Sequence, residues 1–332
     1  GSWLTQILIK CGAIVSGYAL SPATNPSLFK VLGLQEKIGS HFGDIRDREK
    51  LANVLHSERP EFVFHLAAQP LVRDSYDNPL YTFETNVVGT ANLLELIRES
   101  DVKSAVIVTT DKVYEDKGDH TYREHDKLGG HDPYGASKAC AELVVQSYRR
   151  SFFDKGKTLV ASARSGNVIG GGDWAKGRLI PDIIRETYED GNEIVLRNPN
   201  AIRPWQHVLE PITGYLMLAV RLYNHKDKFA DAWNFAPEER NFITVSLIAE
   251  KSLNIIKKGT FRVERDPRHE TEILKLDSTK SRELLKWKSV LGVDEALQWT
   301  FDWYKSFYAN KDIISLTDSQ IETYYQLLDN GT

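Results

Sequence analysis

The feature that most constrains this chain is a rhythm of short apolar runs alternating with helical stretches. Residues 13–19, 62–66, 105–108 and 159–161 read as strands bounded by turns. Between and around them, Trp3, Leu4, Ile7, Leu8 and Cys11, then Phe83, Val87, Val88, Ala91 and Leu94, then residues 134–152, recur at helical spacing, and Gly12 looks like the stop of the first helix. Buried strands that alternate with helices predict an α/β fold: a Rossmann-like, doubly wound parallel sheet with helices on both faces. After about Ser165 the rhythm changes to glycine- and proline-containing loops and shorter elements, with helices at 208–223, 245–257 and 293–309. This predicts a smaller, partly interleaved α/β substrate domain. The expected division is 1–164 for dinucleotide binding and 165–332 mainly for substrate, with segments returning to the first part.

The 332 residues suffice for a large core, and 41% hydrophobic with 27% charged residues is ordinary for a globular protein. A net charge of -4 calls for neither nucleic acid nor an anionic membrane as partner. Two cysteines, Cys11 and Cys140, make no disulfide framework and no paired-cysteine metal site, so no metal is expected. No apolar run approaches the roughly 18 residues of a membrane span. No leader pattern is visible, and the expected compartment is the cytoplasm.

The sharpest chemical signal is Tyr134-Gly135-Ala136-Ser137-Lys138. Tyr134 and Lys138, four apart on a helix, share one face. A lysine ammonium near a phenol lowers its pKa, and such a tyrosine can take a proton from a substrate hydroxyl while a nicotinamide takes hydride. Alone, such a pair is more often surface residues of an amphipathic helix, because the spacing recurs by chance. The strand at 105–108, however, ends in Thr109-Thr110-Asp111-Lys112-Val113-Tyr114, which places hydroxyls and a carboxyl at a carboxyl end of a parallel sheet, where ligands bind in such folds. His65 reads as a satisfied core histidine.

On these stretches, together with His65-Leu66-Ala67-Ala68-Gln69-Pro70, Asn86-Val87-Val88-Gly89-Thr90, Arg164-Ser165-Gly166-Asn167-Val168-Ile169-Gly170, Arg203-Pro204-Trp205-Gln206-His207-Val208 and Asp266-Pro267-Arg268-His269-Glu270, the chain resembles the extended short-chain dehydrogenase/reductases, and within them the nucleotide-sugar 4,6-dehydratases. The resemblance runs over nearly the whole chain. It implies an internal redox cycle with NAD: oxidation of a hexose at carbon 4, loss of water across carbons 5 and 6, and hydride return at carbon 6. It implies Tyr134 as base at the 4-hydroxyl, Lys138 as its tuner and a holder of the nicotinamide ribose, Thr110 as hydrogen-bond partner and Asp111 as the acid for the leaving 6-hydroxyl. It also implies a nucleotide-sugar partner, CDP-glucose, on a path to deoxysugars of the O-antigen type.

The resemblance further assigns cofactor contacts to Gly1, Asp44, Ile45, Leu66, Ala67, Ala68, Gln69, Thr109, Tyr134, Lys138 and Arg164, and nucleotide-sugar contacts to Asn167, Arg203, Trp205 and Arg268. Gly43-Asp44 also reads as a plain turn, and Trp205 also as a structural tryptophan. Helices at 80–100 and 134–152 resemble a four-helix interface, which implies a homodimer, with a tetramer as a further assembly. Gly1-Ser2-Trp3-Leu4 fits the family's glycine-to-helix junction, so a first strand is expected ahead of Gly1; the other reading makes Gly1-Ser2 foreign to the chain. The strand at 13–19 runs into Leu20-Ser21 with no carboxylate for an adenosine 2′-hydroxyl, which leaves NADP open beside NAD.

One departure stands out: many relatives have Glu where this chain has Lys112, and there the glutamate removes the carbon-5 proton. Lys112 could be a neutral base, a cation steadying the enolate, or a solvated bystander. Two other functions share this fold: a nucleotide-sugar 4-epimerase, which needs no acid at carbon 6, and a non-catalytic dinucleotide sensor, in which the tyrosine is commonly lost.

Overall fold

The computed structural model describes residues 1–153, 156–191, 193–264 and 266–330. Its central sheet has four strands in the order Ala232–Phe235, Leu159–Ser165, Ser104–Val108, Phe62–His65, all parallel. A second parallel pair joins Ser16–Ala19 to Gly39–Phe42. The alternation of side chains along a strand explains the two-faced packing. Ala105 and Ile107 face one core with Leu93, Leu94 and Ile97 of the helix Gly89–Arg98 and Val145 of the helix Pro133–Tyr148. Val106 faces the other way, onto Tyr215, Leu218 and Leu222 of the helix Leu209–His225. The sheet is therefore doubly wound, as the sequence pattern predicts.

The second part of the chain carries short strand pairs: Ile194–Leu196 with Phe261–Val263, Ile202–Pro204 with Phe242–Thr244, and Val168–Ile169 with Gln206–His207. Helices Val245–Ile256, Val293–Tyr308 and Ile313–Asn330 surround them. Interleaving is extensive. Strand Ala232–Phe235, far along the sequence, forms an edge of the central sheet.

The first helix, Ser2–Lys10, ends before Gly12 at φ +77°, as expected of its stop. Its apolar face buries against the C-terminal helices: Trp3, Leu4 and Ile7 share a core with Phe301, Trp303, Tyr304, Ile321 and Tyr324. Gln6 Nε2 donates to Asp318 at 2.7 Å, and Trp3 Nε1 donates to the Gly171 carbonyl at 2.9 Å. A Cβ at position 171 would collide with the Trp303 ring, so this glycine lets the 170–172 loop lie flat on the tryptophan. The loop in turn holds the start of the helix at the cleft.

His65 is a core histidine, 3.0 Å from the Thr90 hydroxyl and pushed down to about 3 by burial. Among the described residues no helix is long and apolar enough to cross a membrane, and no cluster of His, Cys, Asp and Glu is arranged to hold a metal.

Candidate active site

The carboxyl ends of the central strands open into a cleft of about 990 Å³ that reaches into the second part of the chain. The helix Pro133–Tyr148 starts at this edge for local reasons. Asp132 caps it by accepting from Gly135 N at 2.9 Å, and Pro133 sits in its first turn, where its missing N–H costs nothing. Gly135 allows a close approach, because a Cβ there would stand 2.8 Å from the Lys112 carbonyl oxygen. The helix start thus abuts the turn at 109–113 and brings Tyr134 beside Thr110, Asp111 and Lys112. Asn86, fully buried, ties the arrangement together: it donates to Ser137 Oγ and holds both the N–H and the carbonyl of Gln69.

Thr110 Oγ1 donates to Asp111 Oδ1 at 3.0 Å. Asp111 is 2% exposed, and burial raises its pKa despite the opposing pull of Lys112, Thr110 and Arg203. Burial thus favours the protonated carboxyl, the form that can donate a proton. Its second oxygen, Oδ2, and the neighbouring Lys112 Nζ are both buried without a hydrogen-bond partner in the protein, and both residues line the cleft. Unpaired buried polar atoms are costly, and here both stand free to bond substrate hydroxyls.

Tyr134 corrects one expectation. Burial pushes it up to about 12, with the Thr110 hydroxyl pulling the other way. Lys138 Nζ is turned to the Val108 carbonyl at 3.1 Å, and burial lowers this lysine to about 8, against the opposing pull of Glu142. In the protein alone, then, the lysine does not depress the phenol.

Gly1, Thr110, Asp111, Lys112, Tyr134, Asn167, Arg203, Trp205 and Arg268 all line this one cleft. Other expected cofactor contacts are engaged elsewhere. Arg164, 3% exposed, spends its guanidinium on Glu142, Tyr114 Oη and the Glu124 carbonyl, and so buttresses the sheet. Thr109 Oγ1 donates to Glu142 at 2.5 Å. The Gln69 amide locks its own loop through Leu71 and Thr82. The Asp44 carboxylate is taken by Arg46, and Ile45 is buried under Gly89. Leu66, Ala67 and Ala68 lie half-buried at the carboxyl end of their strand.

Arg203 also departs from expectation. It is 2% exposed, and its donors go to the carbonyls of Ile202, Thr271 and Glu272 and to Glu270, which leaves little for a diphosphate. Trp205 is 4% exposed, donates to the Ile243 carbonyl and borders the cleft. The cationic wall lies elsewhere: Arg73, Arg178 and Arg197 join Arg268 along the cleft. Asp266 bridges Arg73 and Arg268, and its carboxyl stays low although burial opposes ionisation. Sequence reasoning missed Arg73, Arg178, Arg197 and Glu270. Glu270 stands within a stretch that carries the resemblance, but nothing in the sequence shows which way a side chain turns.

Comparison with known proteins decides the family. The model of the GDP-mannose 4,6 dehydratase family matches residues 1–300. The chain belongs to this family. It is 45% identical to the CDP-glucose 4,6-dehydratase of Salmonella typhimurium, an alignment that covers 98% of this chain and 92% of that protein. The solved structure of DesIV, a dTDP-glucose 4,6-dehydratase from Streptomyces venezuelae with NAD and TYD bound, superposes with a TM-score of 0.81 at 23% identity, covering 95% and 96% of the two chains. A UDP-glucose 4-epimerase from Thermotoga maritima superposes with a TM-score of 0.80 at 22% identity, covering 92% and 96%. At these identities the structural likeness speaks for the Rossmann-like fold.

Proposed function

We propose that the chain converts CDP-glucose to CDP-4-keto-6-deoxyglucose and water, with NAD reduced and reoxidised within one turnover. The observation that carries this reading is Asp111: a buried carboxyl that favours its proton, with one oxygen unpartnered, beside Tyr134. A 4-epimerase has no leaving group at carbon 6 and no task for such an acid. The 45% identity to a CDP-glucose 4,6-dehydratase supports the choice of nucleotide.

NAD, when bound, supplies the acceptor of hydride from carbon 4 and its donor to carbon 6. The residues present suit it. Gly1 stands at the N-terminus of Ser2–Lys10 and on the cleft, with open space where a Cβ would be, and helix N-termini favour phosphate. That the dehydratase of S. venezuelae was solved with NAD supports NAD as the nucleotide.

Tyr134 takes the 4-hydroxyl proton in its ionised form; burial opposes that form, the positive charge of an oxidised nicotinamide would favour it, and the Thr110 hydroxyl lies within hydrogen-bond reach. Lys138, at the adjacent turn of the helix, carries a charge poised near neutrality. The new ketone acidifies carbon 5, the Lys112 amine on the cleft wall takes the carbon-5 proton and returns one after hydride reaches carbon 6, and Asp111 gives its proton to the departing 6-hydroxyl. Arg73, Arg178, Arg197 and Arg268 offer charged forks to the diphosphate, with Asn167 and Trp205 bordering the same space.

By the same reading, 1–164 is the cofactor region and 165–332 mainly the sugar-nucleotide region. Exposed Leu80, Val88 and Leu143 on the helices at 79–98 and 133–148 support a homodimer through those helices. Incubation with CDP-, dTDP-, UDP- and GDP-glucose, read by product mass, tests the reading. Loss of one water from the CDP-sugar is the expected result, and an unchanged mass with inverted carbon 4 would point to an epimerase.

A further inference from the structure

The cleft wall carries a second acid for which the scheme above has no use. Glu186 lines the cleft, and its Oε2 is buried without a hydrogen-bond partner among the described residues. Neighbouring acids of the wall are engaged: Asp173 with Arg178, Asp182 with Arg185 and the Gly177 N–H, Asp266 with Arg73 and Arg268. Asp111 Oδ2 is the one other buried carboxylate oxygen left unpartnered among those residues. The backbone at Glu186 is fixed. It follows directly on the helix Leu179–Arg185, its carbonyl accepts from Gly191 N at 2.8 Å, and Gly191 at φ +71° closes the turn. Two residues on, the Tyr188 ring stacks on Tyr308 with centroids 4.5 Å apart. At the other end of the helix, Arg178 stands near enough to Tyr134 for its charge to act on the phenol. At the rise of an α-helix, Glu186 lies about 12 Å farther along the axis. Sugar, diphosphate, ribose and base follow one another in a nucleotide sugar. With the sugar at Tyr134 and the diphosphate along the arginines, the base comes to the part of the cleft that Glu186 lines.

We propose that Glu186 selects the base of the substrate, its carboxylate accepting a hydrogen bond from the 4-amino group of cytosine. The inference rests on the dehydratase reading of the cleft, which sets the sugar at Tyr134. Cytosine presents an N–H donor at position 4, whereas uracil and thymine present a carbonyl oxygen there. A carboxylate has only acceptors to offer. It bonds the amino group and meets the carbonyl of the other two bases as a second acceptor. Burial makes that mismatch costly, because an unpaired oxygen away from water has no other partner. A polar group placed to bond one substrate group therefore rejects the analogue that lacks it more strongly than an apolar wall could.

Calorimetric titration with CDP, UDP and GDP tests this without turnover. Wild type should bind CDP roughly ten- to a hundredfold more tightly than UDP. Glu186→Gln, whose amide can turn either a donor or an acceptor to the base, should bind the two within a few-fold of each other. A change on the ligand avoids any effect of substitution on folding. The diphosphate of 2-pyrimidinone riboside has hydrogen in place of the amino group, and wild type should bind it at least about tenfold more weakly than CDP. Glu186→Leu, with no acceptor, should not distinguish the two. Equal binding of CDP and the pyrimidinone by wild type overturns the proposal, whether or not the variants fold. So does a preference for CDP over UDP that survives Glu186→Gln, or tighter binding of GDP than of CDP by wild type. Selective CDP binding that is lost in Glu186→Gln, in a wild type that does not dehydrate CDP-glucose, overturns the functional reading and leaves the base contact standing.

Discussion

Replacing Asp111 with Asn removes an acid and almost nothing else. Oδ1 keeps its hydrogen bond from Thr110 at 3.0 Å, the shape is preserved, and the new amide takes the place of the unpartnered Oδ2. The amide can donate a hydrogen bond to the 6-hydroxyl but cannot give up a proton. The expected loss in kcat is that of a missing general acid, roughly 10²–10⁴-fold. The loss should fall on one step. Oxidation at carbon 4 depends on Tyr134 and Thr110, so a single turnover of Asp111→Asn should show reduced nicotinamide by absorbance and hold it there, with the 4-keto sugar uneliminated. Stability should move the other way. Burial raises the native pKa of Asp111 above its ordinary 3.8. The carboxyl's contribution to stability is therefore complete below that ordinary value and is lost as pH rises through the raised one. Asparagine carries no such dependence. The variant should gain on wild type in denaturant midpoint with rising pH across this window. Turnover within a few-fold of wild type, or an equal loss of the oxidation step, would refute the reasoning.

Tyr134→Phe keeps the buried ring and removes the proton acceptor, so oxidation itself should fall at least about 10²-fold while sugar-nucleotide binding by calorimetry survives. Glu142→Gln breaks the buried pair with Arg164, in which both side chains are under 5% exposed, and should cost about 3–5 kcal/mol by denaturant unfolding. Arg164→Met should destabilise comparably yet bind NAD within a few-fold of wild type in protein that remains folded; a selective loss of NAD affinity would restore Arg164 as a cofactor contact.

What could be seen in the sequence follows from the range of the forces involved. The strand at 105–108 and the helix at 134–152 are specified by local periodicity and by caps such as Asp132 and Pro133, and both stand where the pattern put them. The grouping of Thr110, Asp111, Lys112 and Tyr134 was legible because a strand end and a helix start meet at the same edge of a parallel sheet. The fates of Arg164 and Arg203 were not. Their partners, Glu142 and Glu270, lie 22 and 67 residues away, and an arginine in a motif looks the same whether it faces a phosphate or a buried glutamate. The docking of Ser2–Lys10 on the C-terminal helices has the same origin, a contact made across more than 300 residues. The raised pKa of Tyr134 depends on burial and on the turn of Lys138 toward Val108, which spacing alone does not encode.

The central claim is internal redox coupled to loss of water, and one isotope experiment meets it directly. CDP-glucose carrying deuterium at carbon 4 is converted by the protein in ordinary water with catalytic NAD, and the product is examined by NMR and mass. The account predicts the deuterium at carbon 6, a product lighter than substrate by one water, and no build-up of reduced nicotinamide. Deuterium lost to solvent, reduced nicotinamide formed in step with product, or a product with all its oxygen retained would contradict it.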